Sequence, residues 1–92
     1  MNILIVEDEH HSARRLARMI KSLQPDAIVH GPLSSIDATV NWLQSNPMPD
    51  LVFLDIELDD GDAFTLLDQA DICAPVIFCT AFSHYALRAF KA

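Results

Sequence analysis

The stretch that decides the fold is LVFLD, residues 51–55, in which an unbroken apolar run ends in one aspartate. An apolar run without polar alternation is typical of a strand that is covered on both faces, as in a parallel sheet. Two other stretches have the same form: ILIV at 3–6, which two acids follow, and VIFC at 76–79, which a threonine follows. These runs predict three buried strands, each with a polar side chain at or just after its last residue.

Helical patterns lie between the strands. Residues 12–23 carry apolar side chains at the spacing of one helix face, and Pro25 follows beyond the end of the pattern. A short strand over 27–30 comes next, closed by a glycine and a proline. A second helix then follows, which Ser35 or Asp37 can cap.

The second half of the chain continues this alternation. The turn-rich acidic loop 57–62 leads into a short helix, on which we expect Phe64 and Leu67 to face the core. Ser83 can cap a last helix. Four successive β–α units predict an α/β fold: a flavodoxin-like, doubly wound parallel sheet in the order 2-1-3-4, with right-handed crossovers and helices on both faces.

The composition is that of a globular protein, with 51% hydrophobic and 21% charged residues in a chain of 92. This length predicts one domain, residues 1–92. The formal net charge of −7 disfavours direct binding of nucleic acid. No apolar run approaches the roughly 20 residues that span a bilayer, so we expect a cytoplasmic protein without a membrane segment. Cys73 and Cys79 lack the spacing of a metal or redox motif and are expected to be buried thiols.

Polar groups at the strand ends form the candidate site. Glu7 and Asp8 follow the first strand, Asp55 ends the third, and Thr80 follows the fourth. In the order 2-1-3-4 these strands are neighbours about 4.8 Å apart, so the four side chains should meet within roughly 10 Å. Two carboxylates about 4 Å apart repel by about 4 kcal/mol at an effective dielectric constant of about 20. Such crowding favours either a raised pKa or a bound cation.

The carboxylate oxygens of this site suit Mg²⁺, which takes one or two carboxylates and completes its shell with water and phosphate oxygens. Beside such a cation Asp55 can attack phosphorus as a nucleophile, and Thr80 can hydrogen-bond the transferred phosphoryl group. The alternative is that the acids are solvated turn residues. Their convergence from neighbouring strands on one crevice favours the functional interpretation.

Three motifs resemble those of response-regulator receiver domains: ILIVEDE at 3–9, DLVFLDI at 50–56 and PVIFCTA at 75–81. They occur in the order of that family, and the resemblance covers essentially the whole chain. The stretches DDGD at 59–62 and TAFSHYALRAF at 80–90 look like the subgroup whose receivers precede a LytTR-type DNA-binding domain. The resemblance implies a phosphorylation switch that is not an enzyme and that reaches DNA only through a separate output domain.

The resemblance also assigns roles to single residues. It implies that Asp55 is the phosphoacceptor, that Glu7 and Asp8 are the acid pair at the metal, and that Asp8 and Asp55 ligate Mg²⁺ directly. The backbone carbonyl of Glu57 would complete the protein's ligands, and Thr80 would be the switch hydroxyl. The phosphoryl donor would be the phosphohistidine of a sensor histidine kinase.

The chain departs from the family in one respect. Family members carry a lysine and an aromatic switch residue on a fifth strand, and Lys91, which falls in the last helical pattern, cannot be that lysine. The resemblance therefore implies a receiver that stops before its fifth strand and fifth helix, without its output domain. The fourth strand, 76–79, would then be an edge, and we expect homodimers or larger assemblies to form through this strand and the helix after it.

Other functions are compatible with parts of this pattern. A pseudo-receiver would have the same fold without being phosphorylated, but the intact strand-end acids and threonine argue against it. A haloacid-dehalogenase-like Mg²⁺ phosphatase needs a second aspartate two residues after its nucleophile, where this chain has Glu57. A dinucleotide site is disfavoured because the turn after the first strand has no glycines. His10 and His11 are interpreted as solvated first-turn residues, because a hard cation prefers oxygen ligands.

Overall fold

The described part of the molecule, in this computed structural model, comprises residues 1–79. Thr80 and the last predicted helix lie outside the described residues. No helix within residues 1–79 is long and apolar enough to cross a membrane. In chain order the elements are β1 (Asn2–Val6), α1 (His10–Leu23), β2 (Ile28–Leu33), α2 (Ile36–Ser45), β3 (Leu51–Asp55), β4 (Glu57–Leu58), β5 (Gly61–Asp62), α3 (Ala63–Gln69) and β6 (Val76–Cys79).

Four parallel strands form the central sheet in the order β2-β1-β3-β6. This is the predicted order 2-1-3-4, with β6 as the fourth long strand, and it confirms the doubly wound α/β fold. Val6 of β1 lies opposite Leu54 of β3, and Asp55 lies opposite Cys79 of β6. The residues that follow β1 and those that end β3 therefore emerge at the same edge of the sheet.

The sheet separates two apolar cores. Successive strand residues point to opposite faces, so Leu4 and Val6 pack with α2 and α3, whereas Ile3 and Ile5 pack with α1. Helices thus cover both faces of β1 and β3, which explains why these strand sequences show no polar alternation. The prediction of a buried strand was wrong for β6, where Ile77 and Phe78 are 45% and 39% exposed. The first core contains Leu4, Val6, Ile36, Val52, Leu54, Leu58, Ala63 and Leu66. The second core contains Ile3, Ile5, Ala13, Ile20 and Ala27.

Side-chain caps fix where the first two helices begin. α1 starts two residues before the predicted helix because the carboxylate of Glu9 accepts hydrogen bonds from the backbone amides of His11 and Ser12, at 3.0 and 2.8 Å. α2 starts after the first of its two predicted caps, since the hydroxyl of Ser35 accepts a hydrogen bond from the Ala38 amide at 3.0 Å. Satisfying the first amides of a helix in this way stabilises its start.

The inward face of α3 differs from the prediction. The carboxylate of Asp62 caps this helix, and the resulting helical phase directs Ala63 and Leu66 into the core, both 0% exposed. Leu67 packs against the core as expected. The prediction was wrong for Phe64, whose side chain is 47% exposed.

The second strand is longer than the predicted segment 27–30. β2 continues to Leu33, and the register between β1 and β2 shifts along the way. Gly31 allows this passage: its φ is +99°, and a Cβ there would lie 2.5 Å from the carbonyl oxygen of Ile5. A glycine is therefore required at this position by both its conformation and its close approach to β1.

A small antiparallel hairpin, β4–β5, occupies the acidic loop that was predicted only as a turn. Glu57 lies opposite Asp62, and Leu58 lies opposite Gly61. The side chain of Leu58 is 7% exposed and belongs to the first core. The loop that follows Asp55 is consequently a fixed part of the fold rather than an open turn.

Candidate functional site

Three acidic side chains converge at the carboxyl edge of the sheet. Glu7 and Asp8 lie between β1 and α1, and Asp55 is the last residue of β3. One carboxylate oxygen from each lies within 4.8 Å of those of the other two. Asp55 is only 8% exposed, whereas the other two acids are partly buried. The structure thus brings together three of the predicted site residues, and Thr80 lies outside the residues that it describes.

The close approach of these carboxyls changes the acidity of Glu7. Burial, the hydrogen bond to Asp55 and the negative charge of Asp55 together raise the pKa of Glu7 from 4.5 to about 8, and burial makes the largest contribution. Glu7 therefore keeps its proton at neutral pH in the absence of a cation. It donates that proton in a hydrogen bond to the carboxylate of Asp55.

The same surroundings act on Asp55 in two directions. Burial raises the pKa of Asp55, and the charge of Asp8 adds to this rise. Hydrogen bonds from Glu7 and from the backbone amides of Ile56 and Glu57 lower the pKa. Because these hydrogen bonds stabilise the ionised form, Asp55 is the carboxylate and Glu7 the carboxylic acid of a pair that shares one proton.

The donor set of this cluster fits a hard divalent cation. All three groups are carboxylates at a mutual spacing of 4.8 Å or less, and Mg²⁺ prefers oxygen ligands of this kind. A cation would also relieve the repulsion between the carboxylates, which adds to the effect of burial on the pKa of Glu7. His10 and His11, which are adjacent in sequence, are exposed in the first turn of α1 and are not members of the cluster.

Glu57 lies next to the cluster through its main chain. Its side chain is exposed and is not one of the three converging carboxylates. Its main chain, in contrast, begins β4 two positions after Asp55, and its backbone amide acts to lower the pKa of Asp55. The main chain of Glu57 is therefore in contact with the site, while the role of its carbonyl as a metal ligand stays a prediction.

A thiol outside the predicted site also lies nearby. Cys79 is paired in register with Asp55, and burial, with a further contribution from the charges of Glu7 and Asp55, raises the pKa of its thiol. Cys79 ends the strand next to β3, and this position is the sequence signal that could have indicated its proximity to Asp55. The predicted burial is wrong for Cys73, which is exposed, and Cys79 is only partly buried.

A protein-family model described as the response regulator receiver domain matches residues 3–92. The chain belongs to this family. The match confirms the resemblance carried by the three sequence motifs, and it agrees with the parallel sheet and the acidic edge of the structure.

Curated relatives refine the assignment of this receiver domain. It is 36% identical over 98 residues to the sensory transduction protein LytR of Streptococcus mutans. It is 34% identical over 94 residues to the positive alginate biosynthesis regulatory protein of Pseudomonas aeruginosa, and 30% identical over 94 residues to the sensory transduction protein LytT of Bacillus anthracis. These matches cover 99% of the chain but only 37% to 38% of the length of the relatives. The LytR and LytT relatives confirm the expected relationship to LytTR-type regulators.

Solved structures of receiver domains have the same fold. The response regulatory domain of protein mrkE from Klebsiella pneumoniae superposes with a TM-score of 0.80 at 28% identity, covering 99% of this chain and 75% of that one. The MaeR response regulator bound to beryllium trifluoride superposes with a TM-score of 0.77 at 25% identity, covering 98% of this chain and 76% of that one.

Proposed function

We propose that this receiver domain is a phosphorylation switch, in which Asp55 accepts a phosphoryl group from the phosphohistidine of a sensor histidine kinase. The observation that carries the proposal is the place of Asp55 in the acidic cluster. Its side chain is 8% exposed, and one of its carboxylate oxygens lies within 4.8 Å of those of Glu7 and Asp8. A carboxylate of this kind, held at a strand end with few competing water molecules, is suited to act as a nucleophile.

In the proposed reaction a carboxylate oxygen of Asp55 attacks the phosphorus atom of the donor. A P–O bond forms as the P–N bond to the donor's imidazole breaks, and the imidazole leaves with the electrons of that bond and takes up a proton. The product is an aspartyl phosphate, which replaces one negative charge with about two. This added charge next to Glu7 and Asp8 is the event to which the domain responds.

The acidic cluster supports a requirement for Mg²⁺. Asp8, Asp55 and the backbone carbonyl of Glu57 would hold the ion, and Glu7 would complete its acidic surroundings. When bound, Mg²⁺ offsets the charge of the phosphoryl group during transfer. Since burial, the hydrogen bond to Asp55 and the charge of Asp55 raise the pKa of Glu7 to about 8, metal binding near neutral pH should release up to about one proton.

The sheet edge at β6 supports self-association. Ile77 and Phe78 are 45% and 39% exposed, and the ring of Phe78 lies 5.9 Å from that of the exposed Phe64. Within residues 1–79, β6 pairs with β3 and with no other strand. A homodimer through β6 and the segment that follows it is therefore part of the proposal.

The relatives support a role in transcription for the whole protein. They include sensory transduction proteins and a regulatory protein of alginate biosynthesis. We infer an output domain of the LytTR type, which binds DNA where the acidic receiver, with a net charge of −7, does not. A cytoplasmic location follows from this proposed role.

The proposed role is that of a phosphoryl acceptor and not of an enzyme. In a phosphatase of the haloacid dehalogenase type, an acid two residues after the nucleophile would protonate the leaving group. Here that residue is Glu57, whose side chain is exposed and does not join the carboxylate cluster. The carboxylic acid beside Asp55 is instead Glu7, which follows a different strand, β1. We therefore expect no turnover of phosphate monoesters.

Labelling with a small acyl phosphate tests the proposal. The purified protein should be labelled in the presence of Mg²⁺ but not of EDTA, and hydroxylamine should remove the label because it cleaves acyl phosphates. Asp55→Asn should abolish labelling, whereas Asp59→Asn, which neutralises an exposed acid in the same loop, should not. Label that persists in Asp55→Asn contradicts the assignment. A wild-type protein that is never labelled indicates a pseudo-receiver, and steady hydrolysis of a phosphate monoester indicates a phosphatase.

A further inference from the structure

A carboxylate outside the acidic cluster fastens the loop after Asp55 to the start of α2. One oxygen of Asp60 accepts a hydrogen bond from the backbone amide of Ile36 at 2.6 Å, and the other accepts one from the amide of Asp37 at 3.1 Å. These amides lie 24 and 23 positions away in the chain. Asp60 therefore joins two segments that are distant in sequence.

This contact is separate from the cap that α2 provides for itself. The first amides of a helix have no partner within the helix. Ser35, the N-cap residue, serves the amide of Ala38 at 3.0 Å, which leaves the amides of Ile36 and Asp37 to Asp60. The amides at the start of α2 therefore have two different acceptors: Ser35, which adjoins the helix, and Asp60, which belongs to the loop.

Two further contacts hold the tip of the β4–β5 hairpin in the same place. The amide of Asp59 donates a hydrogen bond to the carbonyl oxygen of Ser34 at 3.2 Å. Gly61 approaches Ile36 so closely that a Cβ on the glycine would lie 2.6 Å from Cδ1 of the isoleucine. The hairpin tip is consequently seated on the start of α2, with Asp60 supplying the side-chain bonds of this contact.

The other end of the same loop adjoins the acidic cluster. Glu57 is the first residue of β4 and comes two positions after Asp55, the last residue of β3. It also pairs with Asp62 across the hairpin. Glu57 therefore joins Asp55 to the hairpin, and the tip of this hairpin is anchored on the start of α2. If the tip became more mobile, the backbone pairing of β4 with β5 would transmit that movement to Glu57.

We propose that Asp60 is a positioning residue of the phosphorylation site, which fixes the main chain of Glu57 for Mg²⁺ by anchoring the hairpin on α2. This role rests on the proposed function, because it takes the carbonyl of Glu57 as a metal ligand. Asp60 acts through Glu57 and is not itself a ligand, since both of its oxygens accept hydrogen bonds from α2. Without the anchor the carbonyl is less well ordered, and the affinity for Mg²⁺ falls although the three clustered carboxylates remain.

Asp60→Ala, compared with Asp59→Ala, separates anchoring from charge. Both substitutions remove one negative charge from neighbouring exposed positions of the same turn, but only Asp60 bonds α2 through its side chain. We expect Asp60→Ala to raise the Kd for Mg²⁺ about tenfold in calorimetric titration, as is common when a group that orients a metal ligand is lost. Asp59→Ala should change the Kd by about twofold at most, because exposed charges are screened by solvent and salt.

A second measurement distinguishes positioning from a general loss of structure. At saturating Mg²⁺ the rate of labelling by a small acyl phosphate should return close to the wild-type rate in Asp60→Ala, because Asp55 and the other cluster acids are intact. Ser35→Ala should lower the melting temperature through the loss of the helix cap but leave the Kd for Mg²⁺ unchanged. Asp60→Asn, which retains one acceptor oxygen, should give an intermediate Kd, and it decides the matter if Asp60→Ala does not fold.

The outcomes point to different conclusions. Equal Kd values for Asp60→Ala and Asp59→Ala, or a wild-type Kd in Asp60→Asn, overturn the positioning role. A rise in Kd that Ser35→Ala reproduces also overturns it, since loosening of α2 alone would then account for the effect. A wild-type protein that binds no Mg²⁺ would instead contradict the proposed function.

Discussion

The proton held by Glu7 should make the stability of the metal-free protein depend on pH, and Glu7→Gln should remove most of that dependence. Glu7 titrates near 4.5 in the unfolded chain and near 8 in the folded protein. Because the folded-state pKa is the higher one, the unfolded state loses its proton first as the pH rises. The free energy of unfolding therefore falls between about pH 4.5 and about pH 8, and the loss is complete above that range.

The size of this loss follows from the shift in pKa. The difference between a pKa of 4.5 and one of about 8 corresponds to about 5 kcal/mol of unfolding free energy if solvent screening is neglected. Glu7 is only partly buried, so solvent screening reduces the expected loss to about 2 kcal/mol. Hydrogen bonds hold the pKa values of Glu9, Asp60 and Asp62 below their usual range. Their contributions to stability are therefore lost only below about pH 5, outside the window of Glu7.

Urea unfolding in EDTA at several pH values from about 5 to about 8, followed by circular dichroism, measures the effect. The wild type should lose about 2 kcal/mol across this range, which is about 1–2 M in the urea midpoint for a domain of this size. Glu7→Gln should keep its low-pH stability throughout, because the amide can donate a hydrogen bond to Asp55 at every pH. Glu57→Gln removes one charge from an exposed side chain and should retain the wild-type slope.

Parallel stability profiles for the wild type and Glu7→Gln would refute the reasoning, since Glu7 would then not be the group that holds the proton. The groups that face Glu7 are Asp55, Asp8 and the thiol of Cys79. A small residual slope in Glu7→Gln is expected from Asp55, whose pKa is also raised mainly by burial. Saturating Mg²⁺ should recover the stability that the wild type loses at the upper end of the range.

Three further outcomes are expected. Asp8→Ala should weaken Mg²⁺ binding in calorimetric titration and raise metal-free stability, because it removes a like charge from the cluster; unchanged affinity would exclude Asp8 as a ligand. Leu66→Ala should lower the free energy of unfolding by about 2–4 kcal/mol, since Leu66 is 0% exposed, whereas Phe64→Ala should cost about 1 kcal/mol or less in the same urea assay. Light scattering over a dilution series should detect self-association that Ile77→Lys weakens, because a charge among the exposed apolar side chains of β6 opposes association; a monomer at every concentration would contradict the proposed interface.

The fold was predictable because its signals are local or follow from sheet topology. The buried strands β1 and β3 are continuous apolar runs, and the acids at their ends meet because these strands are neighbours in the order β2-β1-β3-β6. The convergence of Glu7, Asp8 and Asp55 therefore followed from the sequence. The raised pKa of Glu7 was expected only as one of two ways to relieve crowding, since its extent depends on burial that no local pattern records.

The features that the sequence did not predict arise from contacts between distant segments. The β4–β5 hairpin and the bonds from Asp60 to the start of α2 depend on where α2 lies after folding. Phe64 was assigned to the core from its apolar character, but the cap at Asp62 sets the helical phase and turns its side chain outward. The proximity of Cys79 to Asp55 likewise depends on register between strands.

The division of the apolar interior by the sheet has a consequence for how substitutions combine. Ile20 and Leu66 belong to separate cores on opposite faces, and no side chain from one core reaches the other past the strands. Volume changes in the two cores should therefore be nearly independent, with free-energy effects that add to within about 0.5 kcal/mol. Each helical layer can then diverge in sequence without compensating changes in the other, while the strand ends between the layers keep the acids in place.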